Sequence, residues 1–275
     1  MNSLPIRVAS AVAALLILGG IYLFFKLLGL HVLVFLVVLL GGRELVKILF
    51  LASDKFFDRG LFFVFLVLIY VFSVRYFDQA VIYFTCLSVL YFSLNLWRRR
   101  TEMNLSPIFI QQAKSLLGFF YLGLLPAFGD RLLFFSNGVI WFCVLLAVVF
   151  IGDSLAFLFG VTWGRHKIMP AISPKKSTEG ALGGLIGSIS AAVMASSFLP
   201  HVPLVVLAVM GLFVGMIGQF GDFFESLLKR VADIKDSGSI MPGHGGILDR
   251  LDGVLFAAPF VYLTASFFES FVPFS

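Results

Sequence analysis

Residues 138–162 read GVIWFCVLLAVVFIGDSLAFLFGVT, a run of 25 residues in which Asp153 carries the single charge. A helix rises about 1.5 Å per residue, and about 20 apolar residues are enough to cross the hydrocarbon core of a bilayer. A surface helix in water would show a polar face over this length, and none is present. The run is therefore predicted to be a transmembrane helix. The rest of the chain agrees: of 275 residues, 60% are hydrophobic and 13% charged, with a mean hydropathy of +1.04. Soluble domains carry about 25% charged residues, so a water-soluble fold is excluded.

Working outward, further runs of spanning length lie at 8–25, 30–51, 61–77, 79–97, 113–128, 181–199, 203–223 and 252–272. The expected fold class is all-α, a polytopic integral membrane protein of about nine transmembrane helices. The weakest of them is 113–128, which is short and contains Pro126. The run after Arg7 lacks a small-residue cleavage site and is expected to remain as a span. No internal repeat is visible, so 1–275 reads as a single membrane domain, with N-terminal spans in 1–137 and polar loops concentrated in 138–275. With the N-terminus in the cytoplasm, 17 of the 20 Lys and Arg residues fall on the inner side, leaving Lys26, Arg75 and Arg131 outside. The positive-inside rule selects that orientation. It also accounts for the net charge of +5 without nucleic acid, because the basic residues are spread through short loops. Cys86 and Cys143 have no metal-ligand or CxxC spacing and read as inert buried thiols.

Two polar loops interrupt the apolar pattern, and both are expected on the cytoplasmic side. In 218–236, GQFGDFFESLLKRVADIKD, the residues Asp222, Ser226, Lys229, Asp233 and Asp236 follow helical steps of four and three. They are predicted to share one face of a helix that runs out of the membrane and ends near Ser237 and Gly238. Glu225 and Lys229, four apart, also suit a plain ion pair on a solvated helix. The segment 241–253, MPGHGGILDRLDG, then returns through glycines that permit close backbone approach to a phosphate, and presents Asp249 and Asp252 one turn apart. This hairpin should bring Asp222 near Asp249. Carboxylates so placed are hard oxygen ligands suited to Mg²⁺. His244 is equally suited to stabilising the turn or touching a substrate.

The other loop, WGRHKIMPAISPKKSTEGALGG at 163–184, sets Lys167, Lys175 and Lys176 among Ser173, Ser177 and Thr178. That composition fits triphosphate oxygens and equally fits topology alone. A helix starting near Thr178 would add its dipole to an anion site. Asp153 is a functional candidate because charge inside a span is costly, with a helix–helix hydrogen bond as the competing reading. Glu44 beside Arg43 reads as an interfacial ion pair. The Arg98–Arg100 run reads as a topology stop. No Walker motif, GxGxxG or HExxH is present.

The run 226–252, SLLKRVADIKDSGSIMPGHGGILDRLD, resembles the signature of the phosphatidate cytidylyltransferases (CDP-diglyceride synthetases) across its length, departing at Met241, where the family usually has Leu, Ile or Phe. DSLAFLFGVTWGRHK, SPKKSTEG and GQFGD extend the likeness over the C-terminal half, and YLGLLP is a smaller element upstream. The resemblance implies the joining of CTP to phosphatidate to give CDP-diacylglycerol and pyrophosphate, dependent on Mg²⁺ with a possible second metal ion. It implies metal ligation by Asp222 and Asp249 with Asp252 and Asp236 in support, and CTP phosphates held by Lys167, Ser173, Lys175 and Lys176. It further implies a homodimer in the cell membrane with its catalytic face to the cytoplasm. On that reading Lys229 and Arg250 help to offset leaving-group charge, and Asp236 orients Lys235. A CTP-dependent polyprenol or phytol kinase would use similar chemistry. An ion-coupled transporter built on Asp153 and Asp222 would be expected to show paired repeats, which the chain lacks.

Overall fold

The structure is a computed structural model that describes residues 4–50, 56–234, 236–238 and 245–271, with side chains in the first helix described from residue 18. The chain forms α1 (Leu4–Leu49), α2 (Phe56–Arg75), α3 (Ala80–Arg98), α4 (Leu105–Gly118), α5 (Leu125–Leu132), α6 (Gly138–Trp163), α7 (Thr178–Met194), α8 (Leu204–Val231) and α9 (Leu248–Phe268). Among the described residues, eight helical stretches are long and apolar enough to cross a membrane. Their outward faces carry Phe24, Phe109, Val205 and Phe267, each between 73% and 84% exposed. Such side chains belong against lipid tails, and the protein is a multi-pass membrane protein.

The stretch at 8–25, and that at 30–51 as far as Leu49, fall within α1, which is broken at Lys26 (φ 51°, ψ −140°). A Cβ on Gly29 would lie 2.7 Å from Ile21 Cγ2 and Phe25 Cβ. In an unbroken helix, residues eight apart are separated by about 12 Å, so the chain doubles back here. The stretch at 113–128 belongs to a longer helical span, Leu105–Leu132, in which α4 and α5 are joined by a π-helical turn, Phe119–Leu124. In a regular α-helix Pro126 would clash with the carbonyl four residues back and leave it without a donor. The wider π turn immediately before it, where the Leu125 N–H reaches Phe120 O, relieves that conflict. It also turns Tyr121 wholly inward, onto Phe224 and Phe256.

Packing is organised around two apolar clusters. One gathers Phe62, Leu66, Phe119 and Tyr121 from the N-terminal helices, and the other Trp141, Val148, Leu207, Val214 and Val261 from α6, α8 and α9. Helix α9 touches both, through Leu255 and Ala257 respectively. α6 and α7 approach closely because α7 turns glycines toward its neighbour: a Cβ on Gly187 would stand 2.9 Å from Ile151 O. Small residues at such contacts are what membrane helices use to bring backbones together. Cys86 and Cys143 are exposed on outward helix faces rather than buried as expected.

α8 has 28 residues and so rises about 42 Å, more than the roughly 30 Å hydrocarbon core. The excess, about 12 Å or about eight residues, belongs at the C-terminal end, where the charged Glu225, Lys229 and Arg230 lie. The helix stops at Val231, where Ala232 caps it and Asp233 takes a left-handed conformation (φ 54°). The expected stripe through Asp236 is thus corrected: Asp222, Ser226 and Lys229 share the helix, whereas Asp233 and Asp236 lie past its end. The helix ends where Asp233, a weak helix former that tolerates the left-handed region, follows Ala232 between the β-branched Val231 and Ile234.

Candidate active site

The loop between α6 and α7 is folded into a fixed shape. Lys167 and Ser177 bridge antiparallel, the Ile168 N–H donates to Lys176 O at 3.3 Å, and Lys167 Nζ donates to Lys175 O at 3.3 Å. Glu179 on the first turn of α7 reaches back to accept from Arg165 N (3.1 Å) and His166 Nδ1 (2.6 Å). Ser177 is the N-cap of α7, its Oγ accepting from Gly180 N at 3.2 Å, which places the helix start where the sequence put it. Ser177→Ala is expected to lower stability by about 1 kcal/mol through loss of that cap, read as a lower unfolding midpoint in detergent.

This loop docks on α8. Arg230 Nε donates to Ile172 O at 3.2 Å, and Lys176 forms an ion pair with Asp222 while its ammonium sits 4.2 Å from the centre of the Phe223 ring. Between them is a cleft of about 200 Å³ whose walls include Ser173, Lys175, Ser226, Lys229, Arg230 and Asp236. Four residues predicted from different parts of the chain, Ser173, Lys175, Lys229 and Asp236, thus line one cavity. Lys167 stands behind it, bracing the loop.

Next to the cleft, α8 and α9 meet backbone to backbone: a Cβ on Gly221 would be 2.5 Å from Asp252 O. The contact gathers the acids. Lys229 Nζ bonds Glu225 Oε2 and Asp249 Oδ1, each at 2.5 Å. Asp249 also accepts from Ser237 N (3.0 Å), Ser237 Oγ (3.0 Å) and Gly246 N (2.7 Å), all on Oδ2. Asp252 is buried and accepts from Gly253 N at 2.8 Å. It lies within electrostatic reach of Asp222, Glu225 and Asp153, and Asp153 in turn of Lys176 and Arg250. Asp153 thus faces the site from α6, with no hydrogen bond to another helix among the described residues. Lys235 and His244 lie outside the described residues, as does Met241.

Among the described residues, no three His, Cys, Asp or Glu side chains converge on one metal-sized point. The donor set nevertheless suits a hard divalent cation. It is all oxygen, and Asp153, Asp222, Glu225, Asp249 and Asp252 face Lys176, Lys229 and Arg250, an excess of acid over base. Two buried polar atoms at this place, Glu225 Oε1 and the Tyr121 hydroxyl, make no hydrogen bond to a described residue. Such atoms are expected where water or an ion completes the bonding.

Sequence reasoning missed two residues. Glu44 is not the interfacial partner of Arg43. It is buried at 1% exposure while Arg43 is exposed, and its carboxylate accepts from Ile247 N, Leu248 N and Ser237 Oγ. The available signal was one acid at the end of an apolar run, masked by Arg43 and Lys47 beside it. Tyr121, surrounded electrostatically by Asp252, Glu225, Asp222 and Asp249, carries no sequence signal beyond its place in YLGLLP.

The sequence is similar to known proteins. The phosphatidate cytidylyltransferase of Bacillus subtilis (strain 168) is 41% identical over 150 residues, covering 53% of this chain and 51% of that one. The one from Staphylococcus saprophyticus is 42% identical over 125 residues, 45% of this chain and 48% of the relative. That of Mycobacterium tuberculosis (strain ATCC 25618 / H37Rv) is 41% identical over 130 residues, 47% and 39% respectively. The matched stretch therefore spans about half, or less, of each relative's length. The family match is much longer, running from residue 5 to 268 and so taking in both the acid cluster and the loop that docks on it, and the chain belongs to the cytidylyltransferase family.

Proposed function

We propose that this protein is a Mg²⁺-dependent phosphatidate cytidylyltransferase, joining CTP to phosphatidate to give CDP-diacylglycerol and pyrophosphate. The observation that carries the reading is the cleft of Ser173, Lys175, Lys229 and Arg230 opening beside the carboxylates of α8 and α9, at the end of membrane spans. Its volume is below the roughly 300 to 1,000 Å³ of complete ligand pockets, which suits the phosphate chain of a nucleotide rather than all of it. The lipid chains of phosphatidate would remain in the bilayer while its headgroup reaches the same level.

In the reaction, a phosphate oxygen of phosphatidate forms a bond to the α-phosphorus of CTP. The bond from that phosphorus to the bridging oxygen breaks, and pyrophosphate leaves with the electron pair. Both reactants are anionic, so the main requirement is positive charge placed in advance. Lys175, Lys229 and Arg230 line the cleft where a triphosphate would lie, and Lys176 and Arg250 flank the acids. Asp222 and Asp249, with Asp252 beside them, would hold Mg²⁺, which when bound neutralises and aligns phosphate oxygens. Glu225, whose Oε1 makes no hydrogen bond to a described residue, would be a further oxygen donor for a second metal ion. Phosphate monoesters are largely ionised near neutral pH, so no strong general base is required. Asp236, on the cleft wall, would orient neighbouring cations such as Lys235. The family's homodimer and the cytoplasmic placement of the site belong to the same proposal. The orientation is supported by the 17 basic residues on that side.

The test is product analysis with labelled CTP, Mg²⁺ and phosphatidate in sealed membrane vesicles. Pyrophosphate and CDP-diacylglycerol are expected, with added CTP used by inside-out vesicles only. Release of CDP instead would identify a lipid-alcohol kinase and overturn the reaction. Use of CTP by right-side-out vesicles would overturn the orientation.

A further inference from the structure

Glu44 lies in the part of the chain expected only to anchor the protein, about 200 residues from the acids of α9 in sequence. Among the described residues Glu44 has no cationic partner, and a buried carboxylate is then unfavourable unless several donors meet it. Three do, from a single segment: Ile247 N at 3.1 Å on Oε1, Leu248 N at 3.0 Å on Oε2, and Ser237 Oγ at 3.0 Å on Oε2. The first two are N–H groups at the start of α9, which no earlier turn can satisfy and where negative charge is favoured. The third is the hydroxyl that also lies 3.0 Å from Asp249 Oδ2.

The surrounding backbone is shaped for this carboxylate. A Cβ on Gly246 would collide with Glu44 Oε2, and one on Gly238 would collide with Oε1. Both strands of the turn between α8 and α9 are bare where Glu44 enters. The same turn supplies Ser237 N and Gly246 N to Asp249. Glu44 and Asp249 therefore both hold Ser237 and the residues just before α9, and the Ser237 hydroxyl, 3.0 Å from each carboxylate, shares its one proton between them.

We propose that Glu44 is a positioning residue that sets Asp249 for its work, acting through Ser237 and the first turn of α9. The inference rests on the reading of Asp249 as a Mg²⁺ ligand. Partners that orient a ligating carboxylate typically change metal affinity or activity by about 10- to 100-fold when removed. Glu44 touches neither substrate nor metal and acts by holding the turn.

The experiment uses the purified full-length chain in detergent with CTP present. The rise in thermal midpoint on adding Mg²⁺ is followed together with kcat and the KM for phosphatidate. Glu44→Ala and Ser237→Ala are each expected to need about 10- to 100-fold more Mg²⁺ for half of the midpoint rise, with kcat reduced by a similar factor and the phosphatidate KM within about twofold. Glu44→Gln keeps one acceptor oxygen and should fall between them and the unmodified protein. The double variant should be little worse than the poorer single one, as expected for residues acting in one chain. Ser237→Ala leaves the cap on α9 intact, so it carries the test if Glu44→Ala does not fold. Variants whose midpoint falls while their Mg²⁺ requirement is unchanged would show mere structural support and overturn the proposal. Fully additive losses would do the same. An unmodified protein that turns over without responding to Mg²⁺ would overturn the metal assignment and this relay together, whereas a responsive one with unshifted variants overturns the relay alone.

Discussion

Asp249→Asn is expected to fold and to lose at least about 10³-fold in turnover. The asparagine oxygen can take the place of Oδ2 and keep the bonds from Ser237 N, Ser237 Oγ and Gly246 N, so the turn is retained. What it cannot keep is the charge on Oδ1, where Lys229 now binds. Charge stabilisation of the kind supplied at a metal–phosphate site is worth several kcal/mol, and each 1.36 kcal/mol is tenfold in rate. Lys229 retains Glu225, so the cation itself is not abandoned in a buried place. The measurement is pyrophosphate release at saturating Mg²⁺, with the thermal midpoint as the check on folding. A variant that keeps more than a tenth of the activity would refute the assignment of Asp249.

Gly221→Ala is expected to lower stability by about 1–3 kcal/mol and activity by about 100-fold. In an open stretch of helix the same change would help by about 1 kcal/mol, because alanine is the better helix former. Here the new methyl would lie 2.5 Å from Asp252 O and 3.1 Å from both Asp252 C and Phe256 Cβ. A backbone carbonyl cannot swing aside, so α8 and α9 must part. Moving the helices apart displaces Asp222 relative to Asp249 and Asp252, and a displacement near 1 Å can cost about 10² in rate. Gly218, three residues earlier, provides the comparison: a Cβ there would meet Gly253 O at 3.6 Å, an ordinary contact. Gly218→Ala should leave the unfolding midpoint unchanged or slightly raised. Equal midpoints for the two variants would show that the α8–α9 approach does not limit stability.

Much of the architecture is legible without coordinates because the bilayer imposes a simple rule on composition. Long apolar runs have to be helices, since lipid offers no partner to an unbonded backbone. The runs at 138–162 and 203–223 are found in α6 and α8, and Ser177 caps α7 at the position its residue type favours. The span least legible in the sequence is 113–128, because Pro126 reads as a breaker, and only the preceding π turn shows how a helix accommodates it. The end of α8 is misread for the opposite reason. Helical spacing of charges continues to Asp236, but spacing does not show where apolar packing ceases to support the helix.

The site divides in the same way. Residue chemistry alone singles out the carboxylates of the hairpin and the lysines of the preceding loop, because hard oxygen donors and cations clustered on a charge-poor chain are costly to hold near a bilayer unless they bind something. That Ser173 and Lys175 line one cleft with Lys229 and Asp236 follows from the ion pair of Lys176 with Asp222 and the bond from Arg230 to Ile172. Those contacts join elements more than 40 residues apart, a distance over which no helical period carries information. Glu44 and Tyr121 belong to the tertiary structure entirely. An acid between two basic residues and a tyrosine in an apolar run acquire meaning only when folding brings Ser237 to one and the acids of α8 and α9 around the other. The sequence by itself determined that the chain spans membranes and which loops concentrate the polar and charged residues, because solvent and charge act on residue types directly. The tertiary structure decided which distant side chains hold those loops in place, because that depends on contacts made only after the helices have packed.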